Sequence, residues 1–120
     1  MKISINDNKP VLSIQQEFND AFPFLKLEFF SKSHYPGKGT AKNYLSGNGF
    51  LIGNYRRSRS DSSLTITPAM TVSDLEESFR NLYNFEVQVF RKSGRVWLET
   101  TVTDSWTLEE QNRQGEQLSV

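Results

Sequence analysis

The chain has 120 residues, no cysteine, and 14 basic against 14 acidic side chains. This length predicts one domain over residues 1–120 that buries roughly two-thirds of its unfolded surface in a single core. The missing thiols exclude disulfide stapling, thiolate catalysis and thiolate metal sites, and the zero formal charge gives no global field to steer the protein toward nucleic acid or an anionic membrane.

In chain order, Lys2 to Asn6 alternates Ile3 and Ile5 with polar neighbours, the period of a half-buried strand. The amino terminus turns polar after five residues and holds no stretch apolar enough for a signal peptide or a membrane span, so a cytoplasmic, soluble protein is expected. Asn6 to Lys9 reads as a turn. Pro10 fits the first turn of a helix, where its missing N–H is not needed, and Val11, Ile14, Phe18, Ala21 and Phe22 then form one stripe at helical spacing. Pro23 ends that helix. Leu25 to Phe30 follows as a strand, with Leu27 and Phe29 on one face and Lys26, Glu28 and Phe30 on the other.

Residues 31–49 carry His34, Pro36, Gly37, Gly39, Gly47 and Gly49 among polar neighbours and predict a long loop. Phe50 to Tyr55 predicts a strand, and Arg56 to Ser63 a polar connection between two halves. The second half opens with a strand at Leu64 to Thr67. Thr71 then precedes Asp74 by the spacing of a capping box, ahead of a stripe of Val72, Leu75, Phe79, Leu82 and Tyr83. Phe85 to Arg91 and Arg95 to Thr101 predict a hairpin turning at Ser93-Gly94, which sets Val89 opposite Leu98 and Phe90 opposite Trp97. The tail at 102–120 is helical in propensity over Thr107 to Gln117 but almost wholly polar, and is expected to dock by little more than Trp106 and Leu108.

Two stretches of this pattern correspond. Ile3, Ile5, Val11, Ile14, Phe18 and Phe22 match Leu64, Ile66, Val72, Leu75, Phe79 and Tyr83 at one constant offset. After the loss of one residue near the helix exit, Leu25, Leu27, Phe29 and Phe30 match Phe85, Val87, Val89 and Phe90. The expected fold is therefore α+β: two tandem β-α-β(-β) repeats spanning 2–55 and 63–101, with the helices packed on one face of a mainly antiparallel sheet. A ferredoxin-like arrangement is the first expectation, and β-grasp-like halves are the second.

Few residue groups suggest chemistry. Phe30, Phe90 and Trp97 fall on the sheet face away from the helices, with Arg91 and Arg95 nearby and Arg56 and Arg57 in the connection between halves. Aromatic side chains beside guanidinium groups could anchor a protein partner or stack unpaired bases. They could equally be a cross-strand pair, or be covered by Trp106 and the tail. The Gly37-Lys38-Gly39-Thr40 run lacks the earlier glycine of a phosphate-binding loop. His34 is the only histidine, which precludes a multi-histidine metal site, and Glu109 and Glu110 read as helix-face charges rather than a catalytic pair. No cofactor and no metal are expected.

The stretch Val89-Phe-Arg-Lys-Ser-Gly-Arg-Val-Trp-Leu-Glu-Thr-Thr-Val-Thr-Asp-Ser-Trp-Thr-Leu-Glu-Glu-Gln-Asn112 resembles the carboxy-terminal signature of a family of small uncharacterised bacterial proteins, and Ile66 to Phe79 resembles the segment before it. The resemblance implies a bacterial domain and brings no activity or site residue with it. The functional expectation is a non-enzymatic protein-interaction or adaptor domain with an unidentified protein partner. Single-stranded nucleic-acid binding and a small enzyme with its site in loop 31–49 are the alternatives.

Overall fold

The computed structural model describes residues 1–30, 50–54 and 62–119. Its elements, in order, are β1 (Lys2–Ile5), α1 (Val11–Ala21), β2 (Leu25–Phe30), a short 3₁₀ turn (Ile52–Asn54), β3 (Ser62–Thr65), α2 (Val72–Tyr83), β4 (Glu86–Ser93), β5 (Val96–Glu99) and α3 (Leu108–Leu118). This is an α+β fold, and every strand pair among the described residues is antiparallel. The strands lie in two ladders among the described residues, β1–β3 and β2–β4–β5, rather than in one sheet.

The alternation read from the sequence is realised in the first ladder, where Ile3 and Ile5 of β1 and Leu64 and Ile66 of the second segment all point into the core. In the second, Leu25, Leu27 and Phe29 of β2 and Val87 and Val89 of β4 form the floor on which α1 and α2 rest. Phe29 is central to that contact. Its ring meets Phe79 of α2 at 5.4 Å and Phe85 at 5.7 Å, both edge to face, the geometry the aromatic quadrupole favours. One contiguous cluster joins both ladders and all three helices.

Several sequence expectations are corrected. Phe50 to Leu51 does not begin a strand: Leu51 forms an isolated bridge to Pro10, and Phe50 O, Ile52 N and Gly53 N bond to Val11 N, Lys9 O and Asp7 O. The segment follows the turn into α1 instead of a partner strand, and its amides are met there. Leu82 does not join the α2 stripe, being 58% exposed. The stripe needs only Val72, Leu75, Phe79 and Tyr83 to face β4, and Leu82 falls on the flank of the helix. The hairpin turns at Gly94-Arg95, not Ser93-Gly94, so Trp97 lies opposite Lys92 and Leu98 opposite Arg91. Gly94 takes φ 61°, and as the first central residue it suits a type II′ turn. Its N–H donates to the carbonyl of Leu118 at 2.9 Å, a bond that ties the turn to the end of α3. The expected loop over 31–49, Tyr55 and the connection at 56–61 lie outside the described residues.

The tail is bound more firmly than its polarity suggested. The first N–H groups of a helix have no partner within it, and α2 and α3 satisfy theirs reciprocally. Val72 N and Ser73 N donate to the carbonyls of Trp106 and Asp104, while Leu108 N and Glu109 N donate to those of Met70 and Pro68. Each helix then caps its third amide with its own threonine: Asp74 N reaches Thr71 Oγ1 at 3.0 Å and Glu110 N reaches Thr107 Oγ1 at 3.1 Å. Leu108, Gln111 and Gly115 are the buried face of α3. Gly115 is needed for that approach, since a Cβ there would lie 2.8 Å from Phe24 Cβ and 3.0 Å from Phe24 O.

Two outcomes are expected in denaturant titrations. Thr71→Ala and Thr107→Ala should each lower stability by about 1 kcal/mol, and the double variant should depart from the sum because both caps serve one junction. Phe79→Ala should cost ~3 to 5 kcal/mol, whereas Leu82→Ala should stay within ~0.5 kcal/mol of the parent.

Candidate functional site

The residues singled out from the sequence are divided by the fold. Phe30, Phe90 and Trp97 do share the sheet face turned away from the helices, because the two-residue change in hairpin register preserves the side-chain period. They do not form an exposed platform. Phe30 is 3% and Phe90 8% exposed, and Trp97 is half-buried. The ammonium group of Lys26 lies 5.3 Å from the Phe90 ring centre and 5.2 Å from that of Trp97, so a cation from the same sheet already occupies the space over both rings. Lys26 also pairs with Glu28 at 3.5 Å. The covering by Trp106 and the tail that the sequence allowed does not occur, since α3 and Trp106 lie on the opposite side of the sheet.

Arg91 belongs to that opposite side. Its guanidinium carbon sits 5.7 Å from the centre of the Trp106 ring, and its Nη1 donates to Gln111 Oε1 at 3.0 Å. Gln111 is fully buried, and its Nε2 donates to the carbonyl and the hydroxyl of Thr103 at 2.7 and 2.8 Å. These bonds satisfy the buried amide and fasten α3 to β4 through polar contacts. Arg91 is therefore a structural brace. Arg95 is exposed in the hairpin turn, and Arg56 and Arg57 lie outside the described residues.

No catalytic constellation comes together among the described residues. An open groove of about 650 Å³ runs along α2 between Thr67, Met70, Asp74, Glu77, Ser78 and Leu82. Two of its polar groups are engaged within α2, with Asp74 closing the capping box and the Ser78 hydroxyl donating to the Asp74 carbonyl at 2.8 Å, and the others, Glu77 and Asn81 among them, do not converge on a buried point. Glu110 is held below the usual carboxylate range, chiefly by a hydrogen bond from Arg113, which is the reverse of the raised value a general acid needs. That pairing supports α3 at neutral pH and fades as the pH falls through the lowered value. No group of three or more His, Asp or Glu side chains that could hold a metal ion occurs among the described residues.

Apart from Leu82, the exposed large apolar residues lie outside this groove, and all but Met1 follow β4 in the chain. Val96 (56%) and Leu98 (44%) stand on the helix-side face of β5, Trp106 (37%) lies against Arg91, the partner of Leu98, the almost fully exposed Val102 follows β5 in the chain, and Leu118 is brought close by the bond from Gly94 N to its carbonyl. This surface borders an open strand edge. Among the described residues β5 pairs only with β4, and the alternation of an antiparallel ladder turns the amides and carbonyls of Trp97 and Glu99 outward. The sequence pairing of Leu98 with the core residue Val89 implied a covered position, but α1 packs chiefly on β2, α2 on β4, and α3 on β4 and β2.

Gln111→Ala should destabilise the fold by about 1 to 3 kcal/mol, since it leaves the partly buried Thr103 carbonyl and Arg91 guanidinium short of partners; thermal melts would check this. No protein-family model matches this chain, and no curated protein or solved structure matches it.

Proposed function

We propose that this protein is a non-enzymatic protein-interaction domain whose contact surface is the open edge of β5 and the apolar residues beside it. The observation that carries this reading is the exposure of Val96 and Leu98 on a strand that, among the described residues, is paired on one side alone. Apolar side chains gathered at an edge mark a place where another chain excludes water, and unpaired strand amides supply directional bonds for strand addition. Of the residues first considered, Trp97 and Arg95 belong to this surface. The burial of Phe30 and Phe90 and the engagement of Arg91 favour a protein partner over stacked bases.

The tandem repeat belongs to the same proposal, as the origin of the scaffold. Two register facts support it. Ile3 lies opposite Leu64, and Glu28 lies opposite Gln88. In both cases the partners are the positions that correspond in the sequence repeat, the pairing that a two-fold axis between the halves would produce.

The surface can be mapped with a photo-reactive phenylalanine derivative placed in the full chain at position 98, 102 or 65, in cells that express the protein. Adducts resolved by mass spectrometry should form from positions 98 and 102 and not from Thr65 on the outer face of β3. Leu98→Asp should leave the circular dichroism spectrum unchanged and remove the adduct formed from position 102. Adducts absent from both positions, or equally strong from position 65, would sink the reading.

A further inference from the structure

We infer that the partner of the β5 edge is a second copy of this chain, paired antiparallel about a two-fold axis at Trp97; the inference rests on the surface reading above. The support is the self-complementarity of the strand. An antiparallel pair centred on Trp97 sets Trp97 against Trp97 of the second copy, and the outward amides and carbonyls of the two tryptophans then exchange hydrogen bonds. One step along on either side, Val96 meets Leu98 of the second copy and Leu98 meets Val96. These are the exposed apolar residues of the strand, 56% and 44% accessible, and the close spacing of such a cross-strand pair covers both.

Two steps from the axis the charges also match. Arg95 comes opposite Glu99 of the second copy, and the symmetry repeats the contact at the other end. Neither Arg95 nor Glu99 makes an ion pair among the described residues, so both charges are available. An axis displaced by one residue would set Val96 or Leu98 against its own equivalent and move the arginine away from the glutamate. The run Arg95-Val96-Trp97-Leu98-Glu99 thus matches itself in one register, opposite charges at its ends and apolar pairs within.

The other edge of the sheet is not open in the same way. The outward carbonyls of Leu25 and Leu27 on β2 are met by Asn19 Nδ2 and Gln15 Nε2 of α1, each at 2.8 Å. Among the described residues, the capping of one edge leaves β5 as the place where the sheet can extend. Two copies joined there form a continuous six-stranded sheet, with α3 of each copy on the same side and the Trp106 rings near the junction.

Sedimentation equilibrium on the full chain tests this. The parent protein should form dimers with a dissociation constant in the micromolar range, about that of a small interface. Glu99→Lys and Arg95→Glu should each weaken the dimer by roughly tenfold, because each places like charges opposite one another at both ends. An equimolar mixture of the two variants should dimerise like the parent, since both ends then pair Glu or Lys with an opposite charge. Circular dichroism on each variant shows that the fold is kept. A parent protein that stays monomeric up to about 100 µM would overturn the self-association, and would leave the interaction surface standing if position 98 still cross-links to a different chain. A dimer indifferent to both substitutions, or one that the mixture fails to restore, would overturn the pairing about Trp97.

Discussion

The β2–β4 ladder is the contact on which the remaining structure depends. It joins residues some sixty positions apart, from Leu25 opposite Arg91 to Phe30 opposite Glu86, so its formation closes most of the chain. Its helix-side face, built from Leu25, Leu27, Phe29, Val87 and Val89, is the common floor for α1 and α2. An amphipathic helix of eleven or twelve residues is marginal alone in water and takes most of its stability from such a floor. The first ladder gains from the same core, because Ile3, Ile5, Leu64 and Ile66 have nowhere else to be buried.

The two edges of the three-stranded sheet are treated differently, and the proposed function follows from the difference. α1 lies along β2 closely enough for Gln15 and Asn19 to satisfy its outward carbonyls. Among the described residues no such helix lies along the outer edge of β5. Proteins that remain monomeric commonly blunt an open edge with charge, proline or a very short strand, and β5 is short but carries valine, tryptophan and leucine in succession. On the proposed reading the charges flanking this strand act as pairing guides, attracting the correct register rather than repelling all strands.

The C-terminal segment shows how a polar sequence can hold a position in a core. Only Leu108 among its first residues is a fully buried apolar side chain. The rest of its attachment comes from backbone bonds exchanged with the α2 amino terminus, from Gln111 in a satisfied network, and from a glycine that lets the helix axis approach Phe24. None of these contributes to hydrophobic periodicity. The tail therefore read as loosely docked although it is fixed at both ends, by the α2 junction and by Gly94.

The sequence by itself determined what depends on local spacing. The period-two runs placed β1, β2 and β4 and their inward faces, the three-and-four spacing placed α1 and α2, and the Thr71 capping box set where α2 begins. Even the wrong turn position left the faces of β5 correct, because a register change of two residues returns each side chain to the same side. Tertiary structure alone decided which neighbours each face received. The turn settled at Gly94-Arg95 where the carbonyl of Leu118 could meet the Gly94 amide, Phe50 to Asn54 followed the turn into α1, and Lys26 took the space over Phe90 and Trp97. Leu98 was left exposed because the three helices pack chiefly on β2 and β4. Spacing along a chain records which way a side chain points, whereas the surface that meets it is set by residues distant in sequence, and no local pattern encodes that meeting.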